Sequence, residues 1–537
     1  MRSKLPPSFT NPITLLGVAI TTLCFIIIGF LAVLEMMAKD PSPYIGVLAF
    51  VIMPSVLMFG VALAVFGILR ESRLIRQGKQ AERRFPTIDL GNPTHQTGIF
   101  VVFVLGSVLV LASGVGSFQA YHAMETDKFC GTSCHTPMEP EYTAYQNGPH
   151  ARVGCVKCHI GSGAGWFVRS KLSGSYQLYS VAFNKFPRPI ATPIHNLRPA
   201  QQTCEQCHWP AQFFSQKLMR QTYFSSVGRE NVKSTIDLLI KVGGGNKEAG
   251  PTSGIHWHMN IRNKVTYVAT DERRQSIPWI RSEGPDGAVR IFRSTELPFT
   301  ADDSTKGEYR RMDCVDCHNR PAHQYRNPSR MVNHLMALGW IDPELPSAKD
   351  LSVHVLEDSY SSAAIGKDSI RTAIQEYYQV NFPELVKPKS ASIERMITEV
   401  QSLFAKNYFP SMKTDWKNFP DNIGHMYFLG CFRCHDGKHV DQAGKVLTND
   451  CNTCHTIVGQ QVAGKKAQVS LEGIGYEHPV DVGTDWKTGP CSDCHSTPPE
   501  GKEGEKGKAK EKMKAVSVRP SALPGASDAA PLHRRTP

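Results

Sequence analysis

Three apolar runs near the amino terminus, seven repeats of a cysteine-pair-plus-histidine motif and one short alternating stretch predict the fold class. They read as three transmembrane α-helices, then a mostly α-helical and irregular outer domain with a small β-meander. That outer domain packs on bound groups more than on regular structure.

The runs are residues 13–34, 45–69 and 98–118, each without a charged residue. At about 1.5 Å per helical residue, 21–25 residues cross a hydrocarbon core about 30 Å thick. No small-residue cleavage site follows the first run, so it reads as an uncleaved anchor. Cys24 lies inside it and reads as a packing residue. Residues 70–97 form a loop carrying Arg70, Arg73, Arg76, Lys79, Arg83 and Arg84, and the amino terminus carries Arg2 and Lys4. The loop at 35–44 holds only Lys39 as a base. Basic residues collect on the cytoplasmic side, so the amino terminus and residues 70–97 are expected inside and everything after 118 outside. For a bacterial inner membrane the outer side is the periplasm.

The motifs start at Cys130, Cys155, Cys204, Cys314, Cys431, Cys451 and Cys491. Their second cysteines are Cys134, Cys158, Cys207, Cys317, Cys434, Cys454 and Cys494. Each is followed at once by a histidine: His135, His159, His208, His318, His435, His455 and His495. Fourteen of the 15 cysteines are used this way. Composition alone would give roughly 0.016 copies of C-x-x-C-H. Two thiols and an adjacent histidine are what covalent haem c requires: two thioethers to the vinyl groups and one axial nitrogen on the iron. A structural zinc site closes a tetrahedron of four ligands and gives no reason for a histidine after every second cysteine. Disulfides leave the histidine unexplained as well. The first motif has three residues between its cysteines, yet a metal-free pair beside six haem sites is the poorer reading. Seven haem c groups are therefore expected, and the class becomes a membrane-anchored multihaem c-type cytochrome.

The predicted divisions follow the motifs. Residues 1–118 are the anchor, 119–210 carry haems 1–3, 211–430 carry haem 4, and 431–496 carry haems 5–7. Residues 497–537 are charged and poor in large apolar groups, and read as a disordered tail. Within the middle segment, "KVTYVAT", "SIPWI" and "AVRIF" (264–293) alternate as a meander. Ile393, Met396, Ile397, Val400, Leu403 and Phe404 recur at helical spacing over 392–405, and 368–380 is a second helix candidate.

Second axial ligands are expected from His150, His256 or His258, His323, His425, His439 and His478, with Met138 at the first haem and His195 in reserve. His122, His334 and His354 read as surface or core residues. The formal charge of +12 invites a nucleic-acid reading. Two propionates on each haem would supply about fourteen negative charges, so the basic excess is better read as their balance and no nucleic-acid partner is expected. Cys130 follows the third run by twelve residues, which sets the first haem near the membrane, within reach of quinol. Quinol oxidation releases protons, and His122, Asp127, Glu139, Glu141 and Lys171 are chemically suitable acceptors.

"FCGTSCHTPMEPEY", "PHARVGCVKCH" and "FVRSKLSGSYQLY" resemble the NapC/NirT/NrfH family of membrane-anchored multihaem quinol dehydrogenases. The layout of three helices and seven motifs is similar to a longer seven-haem branch from metal-reducing bacteria. The resemblance implies menaquinol as donor, periplasmic c-type cytochromes as acceptors, methionine ligation falling on Met138 and a quinol-site lysine falling on Lys171. His122 and Glu139 are the other candidates at that site. Typical members carry one helix and four haems, so the last three motifs have no counterpart there. The function expected is electron transfer from menaquinol in anaerobic respiration or extracellular electron transfer. A terminal reductase with one open haem acting on nitrite or a related small substrate is the alternative, and a non-catalytic bridging subunit is a third reading.

Overall fold

The computed structural model describes residues 11–37, 53–78, scattered positions between 91 and 119, and 122–496 apart from 162, 195–196, 228, 244–253, 260–262, 285 and 488. The predicted third span, most of the basic loop, His195 and the tail at 497–537 lie wholly or largely outside the described residues. The chain divides into two compact units: Met1–Trp209 with Pro321–His323, and Pro210–Arg320 with Gln324–Pro537.

In the first unit, α1 (Pro12–Met37) and α2 (Met53–Arg76) form an antiparallel pair. Among the described residues these two helices, over Pro12–Leu31 and Met53–Arg76, are long and apolar enough to cross a membrane. Small residues let them approach: a Cβ at Gly60 would stand 2.8 Å from Thr21 Oγ1 and 2.9 Å from Ile20 Cγ2. Asn11 caps α1 by accepting from Thr14 N at 2.9 Å and donates across to Gly67 O at 3.3 Å. Cys24 is buried, as a packing residue should be. Beyond the anchor lie α3 (Asp127–Thr132), α4 (His135–Gln146), α5 (Cys155–His159) and α6 (Ala164–Ala182).

The second unit departs from the expected mostly helical and irregular character, because it holds two antiparallel sheets. One is a long hairpin, β1 (Gln216–Val227) and β2 (Glu230–Lys241), extended by β8 (His455–Gln461) and β9 (Gln468–Val469) in the order β1-β2-β8-β9. The expected meander forms as β3 (Lys264–Val268), β4 (Trp279–Glu283) and β5 (Val289–Ser294). It is flanked by β6 (Arg310–Arg311) and β7 (His439–Asp441) in the order β6-β3-β4-β5-β7. Val265, Tyr267, Ile277, Ile280 and Phe292 pack its core. The hairpin escaped the sequence reading because its apolar residues do not alternate cleanly. Its further partner, β8, lies more than two hundred residues away.

The interval between motifs 4 and 5 folds as α7 (Pro328–Ala337), α8 (Ala348–Glu357), α9 (Ala363–Asn381) and α10 (Ser390–Asn407). On α10 the stripe Ile393, Met396, Ile397, Val400 and Phe404 is buried as its 3.6-residue period requires, with Leu403 at its edge.

Candidate haem-binding sites

Four of the six regular motifs close a helical turn through the same hydrogen bond. The amide of the histidine donates to the carbonyl of the first cysteine: His208 to Cys204 at 2.8 Å, His318 to Cys314 at 2.8 Å, His435 to Cys431 at 3.0 Å and His495 to Cys491 at 3.0 Å. That turn brings two thiols and one imidazole to the same side of the backbone. Aspartates start several of the turns. Asp313 accepts from Val315 N, Asp450 from Asn452 N, and Asp127 reaches across to Cys155 N. None of the 15 cysteines is joined to another in a disulfide. Among the described residues, no three His, Cys, Asp or Glu side chains converge as a metal cluster.

Six motif histidines each face one other histidine. The ring centroids of His150 and His208 are 6.1 Å apart, and those of His159 and His323 also 6.1 Å. His256 and His318 stand at 6.4 Å, and His258 and His435 at 5.9 Å. His425 and His455 stand at 6.2 Å, as do His478 and His495. An imidazole nitrogen binds a metal at about 2.0–2.1 Å and its ring centre lies about 1.1 Å further back, so two rings on opposite sides of one metal put their centroids about 6.3 Å apart. The residues therefore fit six irons with histidine on both sides.

The second nitrogen of each ring supports this. On the non-motif side, Nδ1 lies against a backbone carbonyl in five cases. These are His150 to Pro321 at 3.1 Å, His256 to Val242 at 3.1 Å, His258 to Ile255 at 3.0 Å, His323 to Glu141 at 2.9 Å and His478 to Val480 at 2.7 Å. A proton donated from Nδ1 fixes the tautomer and leaves the Nε2 lone pair for a metal. Burial lowers the pKa of His159, His256, His258, His425 and His495, and the facing histidine adds to it. A lowered pKa favours the neutral ring, the form that coordinates. His425 differs in having Nδ1 buried with no partner, although its ring stacks on Phe432.

His439 is a correction. It is wholly buried, with Nδ1 2.8 Å from Asp436 Oδ1 and Nε2 2.7 Å from Ile277 O. Both nitrogens are used, so none is left for an iron, and His439 ties β7 to the meander instead. At the 256/258 alternative both histidines face a motif histidine, His256 facing His318 and His258 facing His435. His334 and His354 are exposed on α7 and α8, away from any pairing.

The first motif is a different construction. Its cysteines straddle the junction of α3 and α4, and the His135 side chain lies outside the described ones. Positions 135 and 138 are one turn apart on α4, hence on one face. The Cys130 side chain meets that of Cys155; this contact, helped by nearby Lys171, pulls the Cys130 thiol down to about 7. Motifs 1 and 2 are thus adjacent. Asp127 is committed to structure: it accepts from Tyr145 OH at 2.6 Å and from Cys155 N at 2.8 Å. Burial works to raise its pKa, but the hydrogen bonds from Tyr145 and Cys155 outweigh it and the net shift is downward. His122 and Glu139 are exposed, and Glu141 Oε2 stands 3.3 Å from His323 Nδ1.

Residues 92–191, covering the first two motifs, match the model of the NapC/NirT cytochrome c family, N-terminal region. The chain is 41% identical over 503 residues to cytochrome c-type protein ImcH of Geobacter sulfurreducens, covering 93% of this chain and 98% of that protein. No solved structure matches it. Seven attachment motifs, apolar anchor helices, paired imidazoles and a relative aligned over nearly its whole length lead to one assignment: the chain belongs to the NapC/NirT cytochrome c family as an ImcH-like, membrane-anchored c-type cytochrome.

Proposed function

We propose that the protein oxidises menaquinol at its membrane end and passes the electrons through seven covalently bound haems to c-type cytochromes in the periplasm. The observation that carries this reading is the set of six histidine pairs at 5.9–6.4 Å. Each haem, when bound, supplies a one-electron carrier. An imidazole from each side would hold the iron and would leave no room for an exogenous ligand, as would suit electron transfer more than substrate chemistry. A terminal reductase would need an open position, and only the first motif remains for one.

At the membrane end the thiols of motifs 1 and 2 meet, and Lys171 lies near Cys130. Lys171, His122 and Glu139 are the groups proposed to bind quinol and accept its protons. The test is reduction by a menaquinol analogue in proteoliposomes, comparing the wild type with Cys130→Ser/Cys134→Ser. Loss of quinol-driven reduction at the remaining haems is expected, with dithionite reduction retained. Equal rates in both proteins would refute a quinol site at the first motif.

A further inference from the structure

Arg198 is only 6% exposed, yet among the described residues its Nε and Nη1 have no hydrogen-bond partner. The third nitrogen, Nη2, makes one long contact of 3.4 Å to Gln202 Oε1. No carboxylate faces it among the described residues. An uncompensated buried charge is strongly unfavourable, and orphaned buried donors call for an acceptor.

The surroundings are built around this side chain. Gly161 follows His159 by two residues, with φ +64°, and a Cβ there would overlap Arg198 Nη1. The Trp166 ring centroid lies 5.9 Å from Arg198 Cζ. Gln202 precedes Cys204 by two residues. The guanidinium thus sits between the turn that leaves motif 2 and the turn that enters motif 3. Those motifs adjoin, since Cys158 feels the charges of Cys204 and Cys207. Haems attached there each carry two carboxylates, and a guanidinium is the side chain best shaped to hold one.

We propose that Arg198 is the buried anchor of a haem propionate, belonging to one of the two haems attached at Cys155–Cys158 and Cys204–Cys207. The inference rests on the haem reading above and deepens it.

The experiment uses the full-length haem-loaded protein in detergent, followed by spectropotentiometric titration. In Arg198→Gln the propionate charge is left uncompensated and favours the oxidised iron. One haem should shift at least tenfold toward oxidation, about 59 mV for a one-electron couple. Arg198→Lys keeps the charge and should recover most of that shift. Gly161→Ala displaces the guanidinium without removing it and should move the same haem in the same direction. Infrared redox-difference spectra with ¹³C-labelled propionates should show one carboxylate band altered in Arg198→Gln. Seven haems with unmoved potentials and bands would overturn the proposal and leave the haem reading standing; absence of haem at these two motifs would overturn both. Loss of co-purified phospholipid phosphorus with unmoved potentials would also overturn it, by assigning the anion to a lipid phosphate.

Discussion

Arg433 occupies the second variable position of the fifth motif and is only 7% exposed. Its guanidinium donates to three backbone carbonyls: Nε to Gly430 at 2.9 Å, Nη1 to Arg274 at 2.8 Å and Nη2 to Asp316 at 2.9 Å. The three acceptors belong to motif 5, the loop between β3 and β4, and motif 4. Arg433 is also close enough to lower the pKa of Cys317 and Cys434, although burial raises both thiols overall. Replacing it with glutamine leaves at least two buried carbonyls without donors. A hydrogen bond from a charged donor is worth about 1.5–3 kcal/mol, and some of this returns through relaxation and the new amide, so Arg433→Gln should cost about 3–5 kcal/mol. In thermal unfolding followed by circular dichroism, that is a fall in midpoint of roughly 5–9 °C. Arg433→Lys should recover less than half, because an ammonium cannot reach three carbonyls spread around a planar fork. A loss below about 1 kcal/mol for Arg433→Gln would refute the argument that this side chain binds the two attachment turns together.

The axial pairs predict that alanine at His150, His256, His258, His323, His425 or His478 gives one high-spin haem by electron paramagnetic resonance, while His439→Ala gives none. A high-spin signal in His439→Ala would show that its two hydrogen bonds had been misread as its role. His439 also predicts a pH dependence. Burial works to lower its pKa, but Asp436 and the Ile277 carbonyl outweigh it and the net shift is upward. A raised folded-state pKa adds stability that is complete below the ordinary histidine value of about 6.5 and is lost as pH rises through the folded value. The stability difference between wild type and His439→Gln should therefore shrink between acidic and alkaline buffer; growth with pH would contradict it. In the anchor, Gly60→Val would drive a side chain into Thr21 and Ile20, and overpacking of this kind costs about 1–3 kcal/mol. Lower yield of membrane-inserted protein is expected, whereas Leu23→Val, on an exposed face of α1, should leave it unchanged.

Much of the site was legible because its chemistry is local. A C-x-x-C-H turn contains its own attachment points, and four of the six histidines that face a motif histidine were singled out individually, with His256 and His258 left as alternatives. Closeness to a motif in the chain misled at His439. It lies four residues after His435, but β7 pairing turns its ring into the meander, toward Ile277. His323 shows the converse. It follows His318 by five residues yet faces His159, because Pro321–His323 belongs to the first unit. Asp127 has the right chemistry for a proton acceptor, and only its contacts with Tyr145 and Cys155 reveal a structural task.

Hydropathy and spacing by themselves determined the apolar anchor, the motif turns, the meander and the α10 stripe. Each depends on neighbours within a turn, a strand or a lipid-length run. Tertiary structure alone decided which histidine faces which, that β8 extends the long hairpin, that His439 is structural, and that Arg198 is buried with two of its nitrogens unpartnered among the described residues. These depend on groups brought together from distant parts of the chain, where backbone pairing and burial overrule sequence proximity.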